Sequence, residues 1–438
     1  MNTIKPEDLD SLRKGYLAND KARVVKNALT NNDITTISRD FSAVCNNPSV
    51  FSIDLKTMPA TNQKQSGRCW IFSAMNVLRE IIAAKYNIED FELSQNFIAF
   101  YDKLEKANWF MECALSEKNA DLNSEEMRYL LDNAVCDGGQ WNMLVSIVKK
   151  YGICPKTAMP ETYQSSHTNG MNRILNQRLR KFACDIRHMP EEEIATYREK
   201  TTVEIYGLLA SCFGLPPKTF TFEYKDKNGE HHADHDITPL AFYHDWLGED
   251  LDSYVDIING PTADKPYHTC YSVKYLGNVV GGEKICMLNL PMDEFKDAIL
   301  AQLKDGRPVW FGCDCGADAD RQNGLWDDKA FCYGDTFDMD LAMSKEDMLD
   351  YRQSAMNHAM VLTGVNLVDG KPTRWKIENS WGTDTADKGY FTCSDTWFDK
   401  YMYSAAVDKK YLTEAGREAL GKDAVELAPW DPFGTLAD

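Results

Sequence analysis

The sequence has no apolar run near the ~18 residues that a membrane-crossing helix requires, and no long run of Lys or Arg. The first absence argues against a membrane. The second, with 48 basic against 67 acidic residues and a net charge of −19, argues against nucleic acid and anionic lipid surfaces as partners. The opening stretch, Met1-Asn2-Thr3-Ile4-Lys5-Pro6-Glu7-Asp8, lacks the basic start and apolar core of a secretory signal. No internal repeat or low-complexity tract is visible, and 43% hydrophobic with 11% aromatic residues supplies a packed core rather than disorder. Thirteen cysteines, odd in number and scattered, do not read as a disulfide framework. A cytoplasmic location is expected. Histidine is scarce as well: eight residues contain every candidate for an imidazole base.

What is present is concentrated in Gln63-Lys64-Gln65-Ser66-Gly67-Arg68-Cys69-Trp70-Ile71-Phe72-Ser73. The Cys69 thiol opens an apolar, helix-forming run, and a helix N-terminus carries roughly +0.5 of a charge that favours thiolate. Six residues upstream, the Gln63 amide is placed to donate to an oxyanion near the same spot. The chain reads as a cysteine-nucleophile enzyme, given a base.

Helical spacing predicts a helix from Glu92 to Lys106 and another after Asp137-Gly138-Gly139-Gln140-Trp141, ended by Gly152. Pro190 looks like a helix start, with the region through Phe213 helical. Phe220 to Tyr224 followed by Asp226-Lys227-Asn228-Gly229 predicts a strand and hairpin turn. Residues 40–54 read as loop. Strand signals then gather at Pro308–Cys313, Met360–Val365, Thr373–Asn379 and Gly389–Cys393. A helical front and a sheet-rich back predict an α+β fold.

A nucleophilic thiol needs a histidine, and the histidine needs a partner that fixes its tautomer. His358 lies at the mouth of a predicted core strand, and Asn379-Ser380-Trp381-Gly382 follows 21 residues later at the end of the next one. That hairpin brings Asn379 beside His358, with Trp381 free to shield their hydrogen bond. Cysteine, histidine and asparagine in this order resemble the papain superfamily. Asn62 to Trp70, Tyr275-Leu276-Gly277-Asn278-Val279-Val280-Gly281-Gly282, Val309-Trp310-Phe311-Gly312-Cys313-Asp314 and Pro429-Trp430-Asp431-Pro432 resemble its bleomycin hydrolase and aminopeptidase C branch, over nearly the whole chain.

The resemblance implies a two-lobed papain-like cysteine peptidase, with a helical lobe, a β-barrel-like lobe and a large, mainly helical insertion. It implies Cys69 as nucleophile, His358 as base and acid, Asn379 as orienter and Gln63 as oxyanion donor. Gly138, Gly139 and Trp381 are implied at the substrate, where glycine lets one main chain approach another. The 289 residues from Cys69 to His358 exceed the roughly 130–150 of ordinary papain-like chains. The surplus is placed mostly at 161–265, between a catalytic lobe at 1–160 and a sheet-rich lobe at 266–410. Residues 411–438 are expected as a helix and a stiff, extended tail in the cleft, where the carboxylate of Ala437 or Asp438 meets the substrate's ammonium. Secreted relatives have a disulfide-bonded cysteine where this chain has Ser66, which suits a reducing compartment. A homohexamer, peptide substrates with a free N-terminus and no cofactor complete the expectation. The rivals are an amidase acting on bleomycin-like compounds, and a nucleic-acid-binding or chaperone-like ring.

Other motifs read more plainly. His231-His232-Ala233-Asp234-His235-Asp236 is taken as a solvated loop, not a metal site. Cys313-Asp314-Cys315 is a strand end and not a CxxC pair, and Asp318 to Gly324 lacks the closing glutamate of a calcium loop.

Overall fold

Val368-Asp369-Gly370-Lys371 shows how closely the late sequence dictates its structure. Asp369 and Gly370 have φ of 50° and 77°, the left-handed pair that a two-residue hairpin needs. They join strand His358–Val368 to strand Lys371–Glu378, which then pairs antiparallel with Tyr390–Ser394. On its other side the His358 strand pairs with Val309–Cys313, placing His358 opposite Cys313. These strands form the centre of a 12-stranded sheet in the computed structural model, which describes residues 2–248 and 251–437.

The front of the chain is helical. Cys69–Tyr86 is buried without interruption from Cys69 to Arg79 and stops at Asn87, a left-handed residue at φ 53°. Gln95–Ser116 is longer than its periodic core predicts, and Ser94 caps it by accepting from the Phe97 N–H. Trp141–Tyr151 ends at Gly152, φ 81°. Residues 40–54, read as loop, contain a short helix, Phe41–Asn46, because Asp40 accepts from the Ser42 N–H and caps it.

Within 161–265, Asn169–Ile186 and Glu191–Phe213 pack on Gln95–Ser116. Leu175, Leu179, Phe182, Ile205, Leu209 and Phe213 join the same core as the Cys69 helix. A hairpin follows, Phe220–Lys225 with His231–Ile237. The histidine-rich segment is thus a strand and not a loop, since its cross-strand partners Phe222 to Lys225 supply the ladder. Tyr254–Ile258 leaves this region and joins the main sheet beside Met402–Asp408.

A second core lies under the sheet, where helix Met292–Lys304 brings Phe295, Ile299 and Leu303 against Phe311, Trp375 and Trp397. The molecule is an α+β structure, and the Cys69 helix packs on the start of the His358 strand. Among the described residues, no helix is long and apolar enough to cross a membrane.

The tail differs from its expectation. Two prolines and a glycine suggest an extended arm, but Pro432–Ala437 is a 3-10 helix. Asp431 closes the turn by accepting from the Phe433 N–H, and Phe433 and Leu436 are buried. Tight i→i+3 turns suit so short a segment.

Candidate active site

The loop before Cys69 is held at several points. Lys64 sits at φ 54°, a region costly for a non-glycine residue, and its N–H donates to Asn62 Oδ1 at 2.9 Å. Gln63 cannot swing freely: Ser380 Oγ donates to its Oε1 at 2.6 Å, and its Nε2 donates to the Ser66 carbonyl at 2.6 Å. One Nε2 hydrogen remains for another acceptor. The Arg68 guanidinium, 1% exposed, forks onto Glu161 at 3.2 and 2.7 Å.

Cys69 is the first residue of its helix and is buried. Its sulfur accepts from the Ala359 N–H at 3.4 Å, and Ser73 Oγ donates to the Ala359 carbonyl at 2.9 Å, so the helix grips the strand immediately after His358. His358 is also buried, and its Nε2 is 2.9 Å from Asn379 Oδ1. That oxygen also accepts from the Ser380 N–H at 2.8 Å, which fixes the amide's orientation. Trp381 lies alongside, with ring centroids 5.2 Å apart and a tilt of 32°. Cys69, His358, Asn379, Gln63 and Trp381 are thus brought together.

Burial dominates the electrostatics. It pushes the Cys69 thiol up to about 11, outweighing the N–H groups that lower it. The helix end expected to favour thiolate therefore loses to desolvation. Burial likewise pushes His358 down to about 4; the Asn379 hydrogen bond opposes it and the nearby Arg321 charge adds to it.

Gly138 and Gly139 lie against the tail. The Gly139 N–H donates to the Leu436 carbonyl at 3.1 Å. A Cβ on Gly138 would stand 2.3 Å from that carbonyl oxygen, and one on Gly139 2.6 Å from the Trp70 ring. Only glycine fits either position. Cys136 Sγ donates to the Ala437 carbonyl, Gln140 Nε2 to the Phe433 carbonyl at 3.3 Å, and Thr435 Oγ1 to the Met356 carbonyl at 2.9 Å. Asp438 lies outside the described residues.

Asp137 belongs to this site, and the motif reading passed over it as part of a glycine turn. Its carboxylate accepts from the Gly67 N–H at 2.9 Å and Asn172 Nδ2 at 2.8 Å, pairs with Lys103 at 2.6 Å and takes the Thr168 hydroxyl. Its carbonyl accepts from Trp70 Nε1 at 2.6 Å. One residue ties the Cys69 loop, the glycine pair and the 169–186 helix together. The available signal was an acid directly before two glycines. Ser380 was missed for a similar reason, since its role depends on contacting Gln63, 317 residues away.

Among the described residues, one group could hold a metal ion: Asp226, Glu230 and His232, with ligand atoms within 4.8 Å. Asp226 already accepts from the Asn228 and Glu230 N–H groups, the pattern of a hairpin turn.

Residues 3–434 match the model of the peptidase C1-like family. The chain belongs to that family. It is 45% identical over 422 residues to Aminopeptidase C of Lactobacillus delbrueckii subsp. lactis, covering 94% of each chain. It is 43% identical over 433 residues to Aminopeptidase C of Listeria innocua serovar 6a, covering 98% of each. The crystal structure of PepW from Lactobacillus rhamnosis HN001 superposes with a TM-score of 0.96 at 45% identity, over 98% of both chains. Together these make the protein a cysteine-type aminopeptidase of the papain-like class.

Proposed function

We propose that this peptidase releases N-terminal residues through an acyl-thioester on Cys69, and that its tail limits it to substrates with a free amine. Cys69 passes its proton to His358 and attacks the first peptide carbonyl. The Gln63 amide and the Cys69 backbone N–H receive the oxyanion. His358 returns the proton to the departing amine, leaving the thioester, then takes a proton from water to hydrolyse it. Asn379 holds the imidazole throughout. Trp381 walls their hydrogen bond.

The observation that carries this reading is the Leu436 carbonyl on the Gly139 N–H, with Ala437 against Gly138. The chain's own end occupies a glycine-lined rail that an extended peptide would otherwise use. A terminal carboxylate there, from Ala437 or Asp438, pairs with the substrate's ammonium, and the plug refuses longer chains. The reading includes a homohexamer and a cytoplasmic location, and the thirteen free thiols in this structure suit the reducing compartment. The test compares free and N-acetylated peptides before and after deleting Phe433 to Asp438. The intact enzyme should cleave only free peptides, and the truncated one should lose aminopeptidase rate and cut blocked peptides internally. Equal cleavage of both by the intact enzyme refutes tail gating.

A further inference from the structure

Beside His358 the structure carries a cation with no assigned task. The Arg321 guanidinium sits 4.8 Å above the centre of the Trp381 ring, the ring that lies 5.2 Å from His358. Phe391 meets Trp381 at 90°, centroids 5.8 Å apart, so the platform under the guanidinium is fixed. A cation over an indole face is held in place without losing its charge.

Arg321 is exposed and forms no ion pair among the described residues. Its neighbours are already engaged. Asp320 pairs with Arg39 at 3.2 Å, and Gln322 Oε1 accepts from Arg39 Nη1 at 2.8 Å. On a chain of net charge −19, an uncompensated cation beside the catalytic histidine is an attractive point for an anion.

We infer that Arg321 and the Trp381 face form a carboxylate subsite for the leaving-group side of the substrate. The inference rests on the cysteine-aminopeptidase reading above, because His358 must protonate the departing amine for this wall to face the leaving residue. The ligand chemistry is a carboxylate one residue beyond the scissile bond. A dipeptide's C-terminus supplies it, as does an acidic side chain. A guanidinium fork accepts either through two parallel N–H donors. Short peptides released by other peptidases fit this description, so the enzyme stands downstream of endopeptide cleavage. The bound anion also offsets the Arg321 charge that lowers His358, which favours the imidazolium needed to protonate the leaving amine.

The test measures kcat/KM on Leu-Ala, Leu-Ala-amide and Leu-Asp-amide, with Leu-methylcoumarylamide as a check that the enzyme turns over. The intact enzyme should prefer Leu-Ala over its amide by about fivefold, the scale of a partly exposed ion pair. Leu-Asp-amide separates the two sources, and its recovery of the preference assigns the subsite to side chains as well. Arg321→Gln should bring the ratio near one, Arg321→Lys should keep part of it, and Arg321→Glu should reverse it. Higher salt should shrink the ratio in the intact enzyme only. If Arg321→Gln does not fold, the Lys variant and the salt series still decide. A ratio near one in an enzyme that hydrolyses the coumarylamide, or a ratio surviving both Gln and Glu, overturns the subsite. Failure to hydrolyse any of the four substrates overturns the underlying reading and the subsite with it.

Discussion

At the scale of single residues, the site consists of two groups that burial keeps neutral. Cys69 at about 11 and His358 at about 4 each resist a lone charge. They ionise by exchanging a proton with each other, which adds no net charge to the interior. Thiolate should therefore depend on His358 and not on solution pH. Alkylation of the intact enzyme by iodoacetamide is expected to be nearly flat from about pH 5 to pH 9, where a free thiol's rate climbs toward ~8.5. His358→Ala should slow alkylation at pH 7 by ~100-fold or more, and its rate should rise steeply only in strong base. Equal alkylation of the two proteins at pH 7 would end this account. His358 also makes stability depend on pH. Its folded value lies below the ordinary ~6.5, so the unfolded chain binds the proton first as pH falls. The stability it contributes is full above pH 6.5 and is lost toward pH 4, by roughly 3 kcal/mol. A melting temperature flat across pH 4–6.5 in both the intact protein and His358→Gln would contradict that sign.

At the scale of elements, the Cys69 helix is clamped to the Asn379 strand by a buried ion pair, one residue before the orienter. Arg79 Nη2 reaches Glu378 Oε1 at 3.1 Å, each side chain 1% exposed, and Asn76 Nδ2 donates to the same oxygen at 2.8 Å. Burial still outweighs Arg79 and pushes Glu378 up to about 7. This carboxyl works opposite to His358: its contribution is full below ~4.5 and is lost as pH rises through 7. The two partners are unequal. Glu378→Gln keeps an acceptor for Asn76, while Arg79 retains the Met58 and Pro59 carbonyls and Glu80 at 3.5 Å. That change should cost under ~1 kcal/mol in urea unfolding at pH 7.5, with loss of the pH dependence from 4.5 to 7. Arg79→Met strands a buried acid and should cost about 3–5 kcal/mol. Equal costs would mean the pair does not act as a clamp. Such contacts mark where the sequence stops being readable. The Gly152 stop and the His358–Asn379 hairpin depend on local φ preference and period, and these were legible. Asp137 meeting Gly67, Ser380 meeting Gln63 and Arg321 meeting Trp381 are long-range contacts between polar residues, which no local pattern encodes. The tail misled for the opposite reason: its prolines permit an extended arm, and burial of Phe433 and Leu436 selects a 3-10 turn instead.

At the scale of the whole molecule, the N-terminal arm has too little to bury it. Helices Pro6–Leu17 and Asp20–Leu29 have no buried residue. Ile4, Leu9, Leu12, Leu17 and Val24 are 55–77% exposed. The arm is tethered by polar contacts, with Lys21 Nζ at 2.6 Å and Asn19 Nδ2 at 3.1 Å from Asp338 carboxylate oxygens. An amphipathic helix pair with so little of its apolar face covered among the described residues would be unstable alone in water. Apolar surface left open in this way marks a protein interface, and the proposed homohexamer supplies its cover. Six copies of a 49.8 kDa chain make a particle of about 300 kDa. Sedimentation of the intact protein should give that mass, and Leu9→Asp with Leu12→Asp and Leu17→Asp should shift it toward smaller species. The triple variant keeps Cys69, His358 and Asn379 unchanged, so it tests assembly apart from the catalytic side chains. If the intact protein sediments as a monomer, the arm needs another partner and the hexamer is wrong. If the triple variant stays at the intact mass, the interface lies elsewhere on the surface. If the mass falls and cleavage of N-blocked peptides stays negligible, exclusion of such substrates is a property of each chain's own tail and not of an assembled cavity.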